Sequence, residues 1–237
     1  MIIGPKSREQ LTRLSTEWKQ GDHVLVSGGT NSGKTTLARY LDEVRLKAGG
    51  SVVVFVSKLR PDATITNDYK GWTRWTSWWK NPSLTENRIL LWPKVEHKNH
   101  REAVQIMRYE YAKAFDEISK TGRWTVHLDE GLFICSPEFL GLSGMVGLMY
   151  QMMRSSKGTM ITLAQRPSHL PVAIYPNLSQ AFIGQASELP DLRRLANLDG
   201  RTNSRELQNR ITRNGRHDFT WLGIGQDREP ETINLKF

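Results

Sequence analysis

The stretch VLVSGGTNSGKTT, residues 24–36, passes from a short apolar run into glycines and ends on a lysine and two threonines. Its segment GGTNSGKT, Gly28 to Thr35, satisfies the pattern G-x-x-x-x-G-K-[ST]. These residue types at this spacing suit a chain of phosphates. Gly28 and Gly33 allow backbone angles and close approaches that a Cβ blocks. The N–H groups of Gly29, Thr30, Asn31, Ser32 and Thr36 can then converge on phosphate oxygens at the start of a helix, where the dipole favours anions. Lys34 puts a cation between the β- and γ-phosphates, and the Thr35 hydroxyl can ligate Mg²⁺. The plainer alternative is a glycine-rich turn with no ligand. Its position between an apolar strand and a helix favours a nucleoside triphosphate site.

Two further groups could act on that phosphate. The segment WTVHLDE, residues 124–130, ends in Asp129, suited to holding Mg²⁺, and Glu130, suited to accepting a proton from an attacking water. Two acids at a strand end can also cap the next turn. The segment TMITLAQRP, residues 159–167, carries Gln165, whose amide both donates and accepts and so can orient water beside a γ-phosphate. The alternative is a buried glutamine satisfied by backbone.

Something must bring these groups together. Residues 7–20 read as a helix, 23–28 as a buried strand and 33–47 as a helix. Strands follow at 51–57, 88–93, 124–130, 159–167 and 180–185, interleaved with helices at about 100–120, 144–156 and 189–198. The segments DFTWLGI and ETINLKF pair as a hairpin across GQDREP. Apolar strands alternating with helices predict an α/β fold with a mainly parallel sheet covered on both faces. Ligands in such folds sit at the carboxyl ends of the strands. The glycine loop, the acid pair and Gln165 all lie at such ends.

The chain has 237 residues, 38% hydrophobic and 24% charged, enough for a sizeable core. We expect one unit: a helical segment over 1–20, a core over 21–200, and a basic segment with the hairpin over 201–237. The single cysteine, Cys135, excludes an internal disulfide framework and suits a reducing cytoplasm. No run approaches the roughly 20 apolar residues of a membrane span, so no transmembrane segment is expected. The net charge of +9 favours a polyanionic partner, nucleic acid first.

Taken together, GGTNSGKTT, WTVHLDE and RSSKGTMITLAQRPS resemble the FtsK–HerA superfamily of P-loop DNA-pumping ATPases, in that family's motif order and over about residues 21–200. The resemblance implies a P-loop NTPase fold of RecA/ASCE-like type, with a C-terminal β-hairpin. It implies ATP and Mg²⁺ as ligands, Lys34 and Thr35 on phosphate and metal, Asp129 supporting the metal, Glu130 as catalytic base and Gln165 as sensor. It further implies a homo-oligomeric ring, usually a hexamer, with nucleotide at subunit interfaces and an arginine reaching in from the neighbour. Arg154 is the first candidate for that finger, with Arg166, Arg193 and Arg194 behind it. The additional domains of chromosome pumps find no counterpart here, so the likeness is strongest to viral double-stranded DNA packaging ATPases. That implies work in host cytoplasm at a virion vertex, with a capsid or portal-vertex protein as partner. The segment FVSKLRPD lacks the acid many relatives place after the second strand, which leaves the roles of Ser57 and Lys58 open.

For DNA contact the arginine-rich segment 201–216 is the better candidate. The stretch YKGWTRWTSWWKNP, residues 69–82, puts Trp72, Trp75 and Trp79 about one helical turn apart and reads more readily as packing or a subunit interface. Two other functions fit a phosphate site. A small-molecule kinase would leave Glu130 and Gln165 unexplained, and a nucleotide-gated assembly or adaptor protein would use ATP as a switch.

Overall fold

The computed structural model describes residues 2–3, 5–78, 86–198, 200 and 202–236. Its first half comprises β1 (Ile2–Ile3), α1 (Pro5–Glu17), β2 (His23–Ser27), α2 (Lys34–Lys47), β3 (Ser51–Phe55), α3 (Ala63–Asp68), β4 (Thr73–Trp75), β5 (Arg88–Leu91) and α4 (His100–Thr121). Its second half comprises β6 (Trp124–Leu128), α5 (Gly131–Cys135), α6 (Ser143–Met152), β7 (Thr159–Ala164), β8 (Leu178–Ile183), α7 (Leu189–Ala196), α8 (Ser204–Arg213), β9 (Asp218–Gly223) and β10 (Glu231–Lys236). Two 3-10 turns, Pro167–His169 and Val172–Asn177, connect β7 to β8.

The strands form one mixed sheet in the order β1-β10-β9-β8-β2-β7-β6-β3-β5-β4. From β8 to β4 every pairing is parallel, and β9, β10 and β1 extend the β8 edge antiparallel. The predicted parallel sheet and the C-terminal hairpin are both present. Every residue of β2, β6 and β7 is buried, as expected of strands covered on both faces.

Side-chain alternation splits the core. Val24 and Val26 of β2 pack with Leu37 and Leu41 of α2 and Leu11 and Leu14 of α1. Leu25, pointing the other way, joins Met107, Tyr111 and Phe115 of α4. A smaller cluster around Val52, Val54, Tyr69 and Trp92 closes the sheet toward α3. The Tyr111 hydroxyl donates to the Val56 carbonyl at 2.5 Å, which ties α4 to the end of β3.

The tryptophan stretch packs, as its sequence favoured, but the one-turn spacing is not helical: Thr73–Trp75 is strand β4, paired with β5. Trp75 packs edge-on to Trp78, and Trp78 to Trp124, so these indoles belong to the core. Trp79 and Lys80 lie outside the described residues, as does Arg201. The helix read at 144–156 stops at Met152, and residues 153–157 turn before β7.

A buried polar pair joins the glycine-loop helix to the acid strand. His127 of β6 and Asp42 of α2 are both fully buried, with Nδ1 and Oδ2 2.8 Å apart and the Tyr69 hydroxyl beside them. Burial lowers the His127 pKa, but the Asp42 carboxylate and its hydrogen bond, with Asp129 behind, raise it above the ordinary value. Because the folded value exceeds the unfolded one, the stabilisation is complete below about pH 6.5 and fades as pH rises through the folded value. Asp42→Ala should therefore cost about 3–5 kcal/mol near pH 6. In thermal melts at a series of pH values, the Tm gap to the parent should narrow toward pH 9; a flat or widening gap contradicts an ionic pair.

Candidate functional site

Three strand ends meet at one cleft. After β2 the chain turns through Gly28, whose N–H donates to the Ala164 carbonyl at 3.1 Å. A Cβ on Gly28 would sit 2.9 Å from Ser32 Oγ, so the loop closes this tightly only around glycine. Asn31 and Gly33 adopt left-handed angles, with φ of 58° and 96°. Asparagine tolerates this region better than most side chains. Gly33 caps α2, which starts at Lys34, so the helix N-terminus opens into the loop.

Lys34 bends back across the loop and its Nζ donates to the Gly29 carbonyl at 2.6 Å. Burial lowers its pKa, opposed by the charges of Glu130 and Asp129. At the end of β6, the Asp129 carboxylate accepts from Ser57 Oγ at 3.1 Å, and Ser57 follows β3. Glu130 caps α5, accepting weakly from the Leu132 N–H at 3.4 Å. The capping alternative is thus real but occupies one oxygen of a residue that also faces the cleft. Burial raises the Glu130 pKa, while the Leu132 N–H and Lys34 pull it down.

Gln165 follows β7, the strand between the other two. It is exposed, against the buried alternative, and its Oε1 accepts from Thr30 Oγ1 at 3.4 Å. The segment behind it is fixed: buried Asp191 of α7 accepts from Arg166 Nε and from the Ser168 N–H, each at 2.9 Å.

The resulting cavity measures about 400 Å³. Thr30, Asn31, Lys34, Thr35, Asp129, Glu130 and Gln165 all line it, as the sequence anticipated. Ser57, Lys58, Asp62 and Thr64 line it too. The roles of Ser57 and Lys58, open in the sequence, gain a location: Ser57 holds Asp129, and Lys58 stands 3.9 Å from Asp62. Asp62 and Thr64 were missed; an aspartate capping a short helix is a local signal that does not reveal which cleft the helix borders. Ser32, Gly33 and Thr36 border a neighbouring cleft on the other side of the loop.

The candidate arginines lie apart from this cavity. Arg154 is exposed beside Gly21, and the Gly21 N–H donates to Thr159 Oγ1 at the amino end of β7. That is one strand length, about 17–20 Å, from the carboxyl-end cleft. Arg166 is paired with Asp191, Arg194 stacks over Tyr175, and Arg193 is exposed on α7.

No family model matches the sequence, and neither does any curated protein. Solved structures do match over nearly the whole chain. The genome packaging NTPase B204 from Sulfolobus turreted icosahedral virus 2, in complex with AMPPCP, aligns with a TM-score of 0.65 at 14% identity, covering 91% of this chain and 98% of its own. B204, the DNA-packaging ATPase from Sulfolobus turreted icosahedral virus, gives 0.65 at 13% identity over 92% and 100%. VirB4 of Thermoanaerobacter pseudethanolicus gives 0.64 at 8% identity over 91% and 89%. At these identities the likeness establishes architecture: the chain has the P-loop NTPase fold of these proteins.

Proposed function

We propose that this protein is an ATP-driven DNA translocase of the FtsK–HerA superfamily that packages a viral double-stranded DNA genome as a homo-oligomeric ring. The observation that carries the reading is the convergence of Lys34, Asp129, Glu130 and Gln165 on one cavity. A phosphate-binding loop alone also serves kinases and switches; a carboxylate with raised pKa and a polar amide opposite it suit hydrolysis by water. The fold shared with packaging NTPases and the net charge of +9 support DNA as the load.

Each residue then has a task. The loop N–H groups and Lys34 hold the β- and γ-phosphates. Thr35 and Asp129 face the same cavity with hard oxygen donors, the second fixed by Ser57, and this set fits Mg²⁺. Held there, Mg²⁺ would supply positive charge to offset that of the phosphate chain. Glu130 accepts a proton as the water oxygen bonds to the γ-phosphorus and the bridging oxygen leaves with ADP. Gln165 orients that water.

Arg154 lies far from its own subunit's cleft, which suits a residue serving a neighbour's nucleotide at a ring interface, with a hexamer favoured. The exposed Arg205 and Arg213 of α8 are our candidates for DNA phosphates, since Leu207 and Ile211 on the opposite face are buried. Arg210 is occupied, donating to the Pro230 carbonyl. Among the described residues no helix is long and apolar enough to cross a membrane. We place the protein in host cytoplasm and at the virion vertex, acting with a capsid or portal protein.

Three outcomes are expected. Lys34→Ala should abolish ATP binding in a filter or calorimetric assay, whereas Glu130→Gln should bind ATP yet turn over about 10²–10⁴-fold more slowly. Double-stranded DNA should stimulate phosphate release in a salt-sensitive manner, and Arg205→Ala with Arg213→Ala should flatten the slope of log affinity against log salt; hydrolysis indifferent to DNA of any length contradicts a motor. Arg154→Ala should lower kcat about 10³-fold or more while preserving ATP affinity, and mixing it with the equally inactive Glu130→Gln protein should restore part of the activity, because a site that keeps Glu130 then meets a neighbour that keeps Arg154. No recovery on mixing contradicts a shared site.

A further inference from the structure

A second cleft, of about 420 Å³, opens on the other side of the glycine loop. It shares Asn31, Lys34, Thr35 and Thr64 with the first and adds Ser32, Thr36, Asp68, Arg216 and His217. The two clefts differ in chemistry. Asp129, Glu130 and Gln165 line only the first, so a triphosphate with its reacting end there must run past the first turn of α2 and leave through the second. What leaves is the nucleoside. We infer that Arg216 and His217, at the tip of the turn between α8 and β9, form the nucleoside-binding wall of the site and set its affinity for ATP over bare phosphate chains. The inference rests on the ATP-site reading above and deepens it.

The turn is held in place. Asn214, itself buried, donates through Nδ2 to the Ile183 carbonyl at 2.8 Å and to Thr220 Oγ1 at 3.1 Å, which pins the end of α8 to β8 and β9. The Gly215 N–H donates to Asp218 Oδ2 at 3.0 Å, and the Asp218 N–H returns to the Gly215 carbonyl at 3.0 Å. A Cβ on Gly215 would approach Asp218 Oδ2 to 2.8 Å, so the turn closes around glycine. From this base His217 reaches the loop, its Nδ1 donating to the Ser32 carbonyl at 3.3 Å. Arg216 beside it is exposed and His217 half-exposed, so both present surface to the cleft.

The loop side of the cleft is closed by Ser32, only 6% exposed, whose carbonyl accepts the His217 hydrogen bond. The chemistry on either side suits a nucleoside. An imidazole ring and a planar guanidinium both stack on a base, and the guanidinium's charge also favours an anionic α-phosphate. Stacking of this kind tolerates different bases, so the wall suits nucleoside triphosphates as a class, with ATP as the probe.

The test uses the full chain with Mg²⁺ and two ligands, ATP and inorganic tripolyphosphate, titrated calorimetrically. Tripolyphosphate reports the loop alone; ATP reports the loop plus the nucleoside wall. His217→Ala and Arg216→Ala should each weaken ATP about tenfold and leave tripolyphosphate within about twofold of the parent. Unchanged ATP affinity in both variants overturns the inference. Equal weakening of both ligands also overturns it, since the turn would then be supporting the loop and not touching the nucleoside. A parent protein that binds neither ligand would instead defeat the ATP-site reading itself. Parent binding of ATP together with equal loss in the variants leaves that reading standing and removes only this one.

Discussion

The site depends on a constraint of sheet order: β7 lies between β2 and β6. Parallel strands stand about 4.8 Å apart, so the phosphate loop and the acid pair are held roughly 10 Å from each other with Gln165 midway. That gap suits a phosphoryl group with a water on its far side. If β2 and β6 were adjacent, the acids would crowd the loop and no strand end would remain between them for Gln165. Burial on both faces makes the order hard to change: β2 and β7 each commit side chains to two separate clusters, and β6 adds the buried His127 on the face opposite Val126.

Cross-links at right angles to the strands complete the frame. Asp42 and His127 bind the loop helix to the acid strand from beneath the sheet. Ser57 reaches from β3 to Asp129 at the carboxyl end. Asp191 secures the segment after Gln165 from the opposite flank. All three polar contacts join elements distant in sequence, and two of them use carboxylates that are almost fully buried. A buried carboxylate without its partner is unfavourable by several kcal/mol, so these contacts specify one arrangement more than they add stability.

Much of this was legible because the chemistry is local. A loop needing glycine, lysine and threonine at fixed offsets, or an apolar strand ending in two acids, writes its function into fewer than ten consecutive residues. The tryptophans were legible as packing residues but not as a strand, because a spacing of three to four also fits a short strand and turn; pairing of Thr73–Trp75 with β5, a long-range contact, decided the matter. Helix α8 went unread for a different reason. Its arginines drew attention to charge, while Leu207 and Ile211, four apart, carried the helical signal. Arg216 and His217 were invisible as neighbours of the loop, since 185 residues separate His217 from Ser32 and the pairing of β2, β8 and β9 brings them round.

That late return of the chain gives the molecule a connection the motifs do not contain. Gln165 is followed by Arg166, held by Asp191 at the start of α7. Helix α7 packs on α8, whose exposed face carries Arg205 and Arg213, and α8 ends in the turn that touches the phosphate loop. The basic helix thus packs on the helix that holds the segment after Gln165, and the turn at its C-terminal end hydrogen-bonds to the glycine loop. In the proposed motor, the residues offered to DNA would thus be joined to the nucleotide cleft by helix packing on one side and by one hydrogen-bonded turn on the other.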